Sequence, residues 1–335
     1  MKILLTGGTG YIGSHTAVEL IKAGHTVEIL DNLYNSSADV LDRIAQLTDV
    51  KPKFYQVDLR DADSLAEVLK NGGFDAVMHF AGLKAVAESV EKPLSYYENN
   101  VGGTINLLEC MQEFGMKKII FSSSATVYGD LGDQLASETM PTGAGLTNPY
   151  GRTKYMIEEI LKDVVVSDPE FSVTILRYFN PIGAHPSGLI GEVPGDKPNN
   201  LMPIIMNVAS GKMPELAVCG DDFPTPDGSA IRDYIHVVDL ARGHLAALGK
   251  MESGVQIYNL GSGKGTSVLE MVATFEKVSG KPLPHHIAPR RPGDVAITCA
   301  DPSKAAAELA WKTELNVEDA MRDTLNYLKN SSKFV

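Results

Sequence analysis

Lys2-Ile3-Leu4-Leu5-Thr6-Gly7-Gly8-Thr9-Gly10-Tyr11-Ile12-Gly13-Ser14 is the stretch on which the fold turns. The short apolar run Lys2–Thr6 ends in glycines, which suits a strand buried in a parallel sheet. Tyr11–Lys22 follows with apolar residues at Ile12, Val18, Leu20 and Ile21, a helical stripe. Gly7, Gly10 and Gly13 keep side chains out of the way of a backbone that approaches a pyrophosphate. The helix behind them offers free N–H groups and the positive end of its dipole. Asp31 closes the next strand, 26–30, and stands 18 residues past Gly13. A carboxylate there accepts hydrogen bonds from an adenosine ribose and repels a 2′-phosphate. No Arg or Lys lies between Asp31 and Asp39, so NAD is favoured over NADP. The plainer alternative is a structural turn beside a surface aspartate. No Gly-Lys-Ser/Thr follows the glycines, which excludes a triphosphate-binding P-loop.

Outward from this unit the pattern repeats. Runs at 53–57, 75–80 and 118–121 read as strands, with helix-like stretches near 61–70 and 95–114 between them. Strands separated by helical segments imply right-handed βαβ units, hence an α/β fold of Rossmann type with a doubly wound parallel sheet. After residue 180 the composition changes. The stretch 181–226 is rich in proline and glycine and reads as loops; 234–248 carries an apolar helical stripe, and 255–260 reads as a strand returning to the first layer. The expected division is a nucleotide-binding domain over 1–180, with returns near 232–262, and a smaller, loop-rich α/β domain over 181–335.

The chain has 335 residues, 44% of them apolar, enough to bury a large core. Its 30 basic and 42 acidic side chains give a formal charge of -12, which argues against nucleic-acid binding, because that needs clustered Lys and Arg. Cys110, Cys219 and Cys299 are an odd number without close spacing, a poor basis for a disulfide framework or a zinc site, and no metal is expected. The N-terminus runs into the glycine turn in place of a secretory apolar stretch, and no window approaches the ~18 apolar residues of a membrane span. A cytoplasmic protein without membrane contact is expected.

A second constellation carries chemistry. Tyr150-Gly151-Arg152-Thr153-Lys154 opens a helix expected to run to 165. Residues four apart share a helix face, so the Lys154 ammonium can lie near the Tyr150 ring and a cofactor ribose. A free phenol, with a pKa of ~10, is a poor base at neutral pH. A neighbouring ammonium and the positive charge of an oxidised nicotinamide both favour phenolate. The phenolate can then take a proton from a substrate alcohol while hydride leaves. Phe121-Ser122-Ser123-Ser124 ends a strand, where ligands collect in this topology, and the Ser124 hydroxyl there can hydrogen-bond the reacting oxygen. Alone, Tyr-x-x-x-Lys arises by chance in many helices. The dinucleotide turn and the serine-bearing strand end are what favour a catalytic pair.

Together, Thr6-Gly-Gly-Thr-Gly-Tyr-Ile-Gly-Ser14, Phe80-Ala-Gly-Leu-Lys-Ala85, Ser122-Ser-Ser-Ala-Thr-Val-Tyr-Gly129 and Tyr150-x-x-x-Lys154 resemble the extended short-chain dehydrogenase/reductase superfamily. Four further runs narrow the resemblance to its UDP-glucose 4-epimerase family: Leu176-Arg-Tyr-Phe-Asn-Pro181, Gly183-Ala-His-Pro-Ser-Gly188, Pro198-Asn-Asn-Leu-Met-Pro203 and Arg232-Asp-Tyr-Ile-His236. The similarity follows matching order over nearly the whole chain. It implies that the C4 hydroxyl of a UDP-hexose loses its proton to Tyr150 and its hydride to tightly held NAD. A 4-keto sugar then turns over while its UDP stays anchored, and takes the hydride back on the other face.

The resemblance also implies roles residue by residue. Ser124 aids proton movement, and Lys154 binds the nicotinamide ribose and tunes Tyr150. Cofactor contacts fall on Gly7, Gly10, Tyr11, Ile12, Gly13, Asp31, Asn32, Leu33, Tyr34, Asn35, Ser36, Asp58, Leu59, Phe80, Ala81, Gly82, Leu83, Lys84, Asn99, Ser122, Tyr150, Lys154 and Phe179. Substrate contacts fall on Lys84, Ser124, Tyr150, Asn180, Asn200, Leu201, Ala217, Val218, Arg232, Tyr234, Arg291, Asp294 and Thr298. A guanidinium fork suits a diphosphate, which it grips with paired hydrogen bonds. Thr298 stands where some family members carry a bulky tyrosine, so N-acetylated UDP-hexoses are candidate substrates. Family members pair as homodimers through helices that correspond to 95–114 and 150–165.

Three readings compete: the 4-epimerase; a related dehydratase or decarboxylase acting on nucleotide sugars; and a dinucleotide sensor without catalysis. Dehydratases of the superfamily typically carry Thr-Asp-Glu where this chain has Ser123, Ser124, Ala125 and Thr126, and sensors usually lack the Tyr–Lys pair. Other residues read as structural. His285 and His286 belong to a solvated loop, His79 to the core, Cys299 to apolar packing and Trp311 to packing between domains.

Overall fold

The computed structural model describes residues 1–193, 200–291 and 293–331. Its first elements are β1 (Lys2–Thr6), α1 (Tyr11–Lys22), β2 (Thr26–Asp31), α2 (Asp39–Thr48), β3 (Lys53–Gln56), α3 (Ala62–Gly72) and β4 (Ala76–His79). Helices α4 (Val86–Glu91) and α5 (Pro93–Tyr96) follow, then a π-helical turn over Tyr97–Gly102 that leads into α6 (Gly103–Glu113). Next come β5 (Lys118–Ser124), a 3-10 turn over Ala125–Tyr128, α7 (Pro149–Ser167) and β6 (Ser172–Tyr178).

The second half holds β7 (Asn180–Ile182), α8 (Leu201–Ala209), β8 (Leu216–Cys219), β9 (Ile231–His236), α9 (Val237–Leu248) and β10 (Gly254–Leu260). It ends with β11 (Gly265–Ser267), α10 (Val268–Ser279), β12 (His285–Ala288), β13 (Ile297–Thr298), α11 (Ser303–Leu309) and α12 (Val317–Ser331).

Seven parallel strands form the main sheet in the order β10-β6-β5-β4-β1-β2-β3. This is the expected doubly wound, Rossmann-type arrangement. Strand residues alternate between its faces: Ile3 and Leu5 pack with Val18, Leu20 and Ile29 on one side, while Leu4 packs with Leu65, Val77 and Phe121 on the other. All of these are buried. A sheet covered on both faces needs apolar residues at every strand position, which is why the strands read as continuous runs.

A second layer is built on β9, which pairs with β7 and β13 in parallel and with β11 antiparallel; β8 and β12 form a separate parallel pair. Met202, Ile205, Val218, Tyr234, Met271, Phe275 and Met321 make its core.

Three features differ from the sequence pattern. Strand β6 and helices α2 and α4 are elements that the pattern did not mark. The stretch 181–226 holds α8 and β8 as well as loops. There Pro203 sits in the first turn of α8, where a proline forfeits no intrahelical hydrogen bond. His285 and His286 lie on a strand, β12, and His286 pairs with Glu215 at 2.9 Å. Pro198 and Asn199 of the quoted motif lie outside the described residues.

Candidate active site

Gly7 adopts φ +70°, and a Cβ on it would stand 2.6 Å from the Ala81 backbone nitrogen. A Cβ on Gly13 would meet the Gly7 carbonyl oxygen at 2.5 Å. The turn therefore closes onto both its own helix and the segment after β4. Gly10 begins α1 without any side-chain cap, so the helix N-terminus faces the turn with its dipole uncompensated. Tyr11 reaches across to donate to the Gly183 carbonyl at 2.6 Å, and Ile12 packs on the core.

Asp31 ends β2 against this turn. Its carboxylate accepts from the Thr9 N–H at 3.2 Å, the Leu33 N–H at 2.9 Å and the Ser36 hydroxyl at 3.2 Å. Leu33 takes a left-handed φ of 60° to make that contact, and Asn35 lies exposed beside it. Next to Asp31, a cavity of about 190 Å³ is lined by Asn32, Tyr34, Arg60, Leu83, Tyr96 and Asn99, among others. Asn32 donates to Asp58 at 2.9 Å, and the Arg60 guanidinium grips the same carboxylate and holds it well below the usual range. Leu59 is buried beneath. An uncapped helix N-terminus, a carboxylate facing a glycine turn and a pocket beside that carboxylate fit the pyrophosphate, ribose and base of an adenine dinucleotide.

The reactive side chains gather at the carboxyl end of β5. Asn148 caps α7, accepting from the Gly151 N–H at 2.8 Å, with Pro149 at the first helical position. The cap sets Tyr150 at the helix mouth. Burial pushes the Tyr150 phenol up, while a hydrogen bond from the Ser124 hydroxyl and the charge of Lys84 push it down. Ser124 also accepts from the Thr126 hydroxyl at 3.0 Å.

Lys154, one turn further, is buried and donates to the Ser122 carbonyl at 2.6 Å. Burial lowers its pKa to about 8 against the opposing charge of Glu158. Gly82 lies over this ammonium: a Cβ there would come 3.8 Å from Lys154 Nζ. Phe80 stacks on His244, and Phe179 is buried where β6 ends. Lys84 reaches the substrate side, pairing with Glu192 at 2.9 Å.

The remaining candidates cluster on the second layer. Thr298 is paired with Arg232, and Asn180 with Tyr234, across β9. Asp294 holds both arginines: Arg291 Nε at 2.9 Å and Arg232 Nη2 at 3.5 Å. Both positive charges act on the buried Tyr234 phenol and lower its pKa, although burial dominates and raises it to about 12. Asn200 and Leu201 open α8. Along β8, Ala217 is exposed and Val218 is buried.

Several contributors lie outside the sequence-derived set. Asn100, in the π-helical turn, accepts from the Leu83 N–H at 2.8 Å and donates to Thr153 at 3.1 Å, tying the 80–84 segment to α7. Glu158 and Arg177 form a buried ion pair behind Lys154. Glu158 is one helical turn past Lys154 and Arg177 lies within a quoted motif, but neither position by itself marks a buried pair. His79 is buried between Thr6 and Thr104, Cys299 is buried beside Asp233 with its thiol raised to about 12, and Trp311 donates to the Asp239 carbonyl. Among the described residues no group of three or more His, Cys, Asp or Glu is placed to hold a metal, and no helix is long and apolar enough to cross a membrane.

The sequence model of the NAD dependent epimerase/dehydratase family matches residues 3–261. The chain is 55% identical over 326 residues to a UDP-glucose 4-epimerase of Bacillus subtilis (strain 168), covering 97% of this chain and 96% of that one. The crystal structure of a UDP-glucose-4-epimerase from Stenotrophomonas maltophila, with bound NAD and formylated UDP-arabinopyranose, superimposes with a TM-score of 0.97 at 46% identity over 100% of both chains. That of a UDP-glucose 4-epimerase from Bifidobacterium longum, in complex with NAD+ and UDP, gives a TM-score of 0.96 at 49% identity, again over 100% of both.

Proposed function

The chain belongs to the NAD dependent epimerase/dehydratase family, and from that premise we infer how its site works. It is an NAD-using isomerase that interconverts UDP-galactose and UDP-glucose by inverting C4. The observation that carries the mechanism is the gathering of Tyr150, Ser124 and Lys154 at the end of β5.

Tyr150 Oη takes the proton of the C4 hydroxyl, and the neighbouring Ser124 hydroxyl, which favours phenolate, steadies the oxygen that exchanges that proton. When bound, NAD supplies the hydride acceptor for the C4 hydrogen and later returns it, so net redox is zero. Lys84 and Lys154 place positive charge around the phenol and the ribose side. Arg232 and Arg291 anchor the diphosphate while the 4-keto sugar turns. Tyr150 then returns its proton to C4 oxygen on the product. The segment 1–180, with 232–262, serves the dinucleotide, and the rest of 181–335 serves the UDP-sugar. Ser123, Ser124, Ala125 and Thr126 provide no acid for dehydration.

Purified protein mixed with UDP-galactose, without added NAD, should generate UDP-glucose anomeric proton signals by NMR. No change, even after NAD is supplied, would sink the reading.

Three finer points extend it. First, the site also accepts N-acetylated UDP-hexoses. Half-buried Thr298, paired with Arg232, supports this because a threonine is much smaller than the tyrosine that some family members carry there. Thr298→Tyr should slow turnover of UDP-N-acetylglucosamine selectively; equal loss on both sugars, or none, contradicts it. Second, the chain forms a homodimer through α5–α6 and α7, where Leu94, Ile105 and Met156 are exposed. Sedimentation showing only monomer at micromolar concentration contradicts it. Third, the protein works in the cytoplasm, where its three free cysteines stay reduced.

A further inference from the structure

Helix α7 carries Tyr150, Lys154 and Glu158 at intervals of four, which puts all three on one face. Opposite them stand three consecutive serines at the end of β5. Ser124 neighbours Tyr150 and favours its phenolate, the Ser122 carbonyl accepts from Lys154 at 2.6 Å, and the Ser123 hydroxyl donates to Glu158 Oε1 at 2.5 Å. Glu158 is fully buried, and Arg177 on β6 is among the largest fully buried side chains. The guanidinium grips the carboxylate with both arms, Nε to Oε1 at 3.0 Å and Nη2 to Oε2 at 2.6 Å. Its third nitrogen donates to Tyr128 at 2.9 Å, and Tyr128 in turn donates to Asn259 on β10 at 2.7 Å. The carboxylate is therefore fixed from three strands: β5 directly, β6 through Arg177, and β10 through the chain behind it.

Such a pair is a poor device for stability alone. Apolar residues of similar volume commonly do as well, because burying two charges costs nearly what their attraction returns. What a bidentate pair supplies that apolar packing does not is a single geometry. We propose that Glu158 is a positioning residue for proton and hydride transfer, its carboxylate fixing the height and rotation at which α7 delivers Tyr150 and Lys154 to the end of β5. The proposal rests on the reading of Tyr150 as the base. Glu158 also faces the Lys154 ammonium; the other ionisable groups around that ammonium are Tyr150 on α7, His79 on β4, which burial keeps neutral, and Arg177 behind Glu158.

The test compares wild type with Ser123→Ala, with the double variant Glu158→Leu/Arg177→Met, and with Tyr150→Phe. Each is assayed on UDP-galactose for kcat, KM, the alkaline limb of the pH profile and the melting temperature. The double variant is expected to melt no lower than wild type yet lose roughly tenfold to a hundredfold in kcat, as ångström-scale misplacement of a reacting group does. Its KM should stay near wild type, because the diphosphate anchors are remote from α7. Its alkaline limb should move to lower pH, since Lys154 no longer has a carboxylate to hold its proton. Ser123→Ala should show a smaller fall in kcat, again without a change in KM.

Wild-type kcat and alkaline limb in the double variant overturn the proposal. Should that variant fail to fold, Ser123→Ala decides alone, and unchanged kcat overturns it. An active Tyr150→Phe would instead remove the base itself. An inactive Tyr150→Phe beside a fully active double variant removes only the positioning role.

Discussion

Burial and charge pull the Tyr150 phenol in opposite directions, and burial wins: the group titrates above its ordinary value despite the Ser124 hydrogen bond and the charge of Lys84. At neutral pH the phenol of the protein alone is thus protonated, and it needs a further positive charge beside it to act as a base. Tyr150→Phe should lower kcat by ~10²–10⁴ while UDP binding, measured by calorimetry, is unchanged. Turnover within tenfold of wild type would remove the tyrosine from its role. The Tyr150–Lys154 spacing was readable because it is local to one helix. Lys84 was named only through the family resemblance, and its charge on the phenol was not readable, because it lies 66 positions earlier and spacing along a chain carries no such contact. Glu158 and Arg177 escaped for the same reason: each alone is an ordinary charged residue, and only the packing of α7 on β6 makes them a buried pair.

At the scale of elements, the glycine turn is a joint closed against backbone on two sides. Gly7→Ala would force a left-handed φ on a residue with a side chain and press its methyl into the Ala81 backbone. It should cost on the order of 1–3 kcal/mol in urea unfolding. The purified variant should also carry less nucleotide, seen as a lower 260 to 280 nm absorbance ratio. Unchanged stability and nucleotide content would mean that the turn yields freely. The strands that the hydropathy pattern marked are those whose apolar runs end at glycine, serine or aspartate, as at Gly7, Ser122, Asp31 and Asp58. β6 is as buried as any, but Ser172, Thr174 and Arg177 interrupt its apolar run, and Ser172 and Arg177 are satisfied by the Glu252 carbonyl and the Glu158 carboxylate, which lie on other segments. α8 was hidden by Pro203, since a proline reads as a breaker unless the helix start is known.

For the molecule as a whole, buried neutral histidines set its response to acid. Desolvation lowers His15 and His79 to about 3 and His244 to about 4, all below the unfolded value. Between those values and about 6.5 the unfolded chain binds more protons, so stability falls as pH falls, by up to about 1.4 kcal/mol per pH unit for each histidine. Urea unfolding at pH 7 and pH 5, a window above most carboxylate titrations, should show that loss, and His244→Gln should lose less. Equal losses would contradict the assignment. The formal charge of -12 raises a different matter: an acidic molecule that takes up an anionic nucleotide. Asp294 already pairs with both arginines proposed to hold the diphosphate, one carboxylate set against two guanidinium charges. On that proposal an arriving diphosphate would compete with a tethered carboxylate for the same two cations. A lone phosphate that binds no better than the tethered carboxylate would gain little by displacing it, whereas a diphosphate that engages both guanidinium forks would.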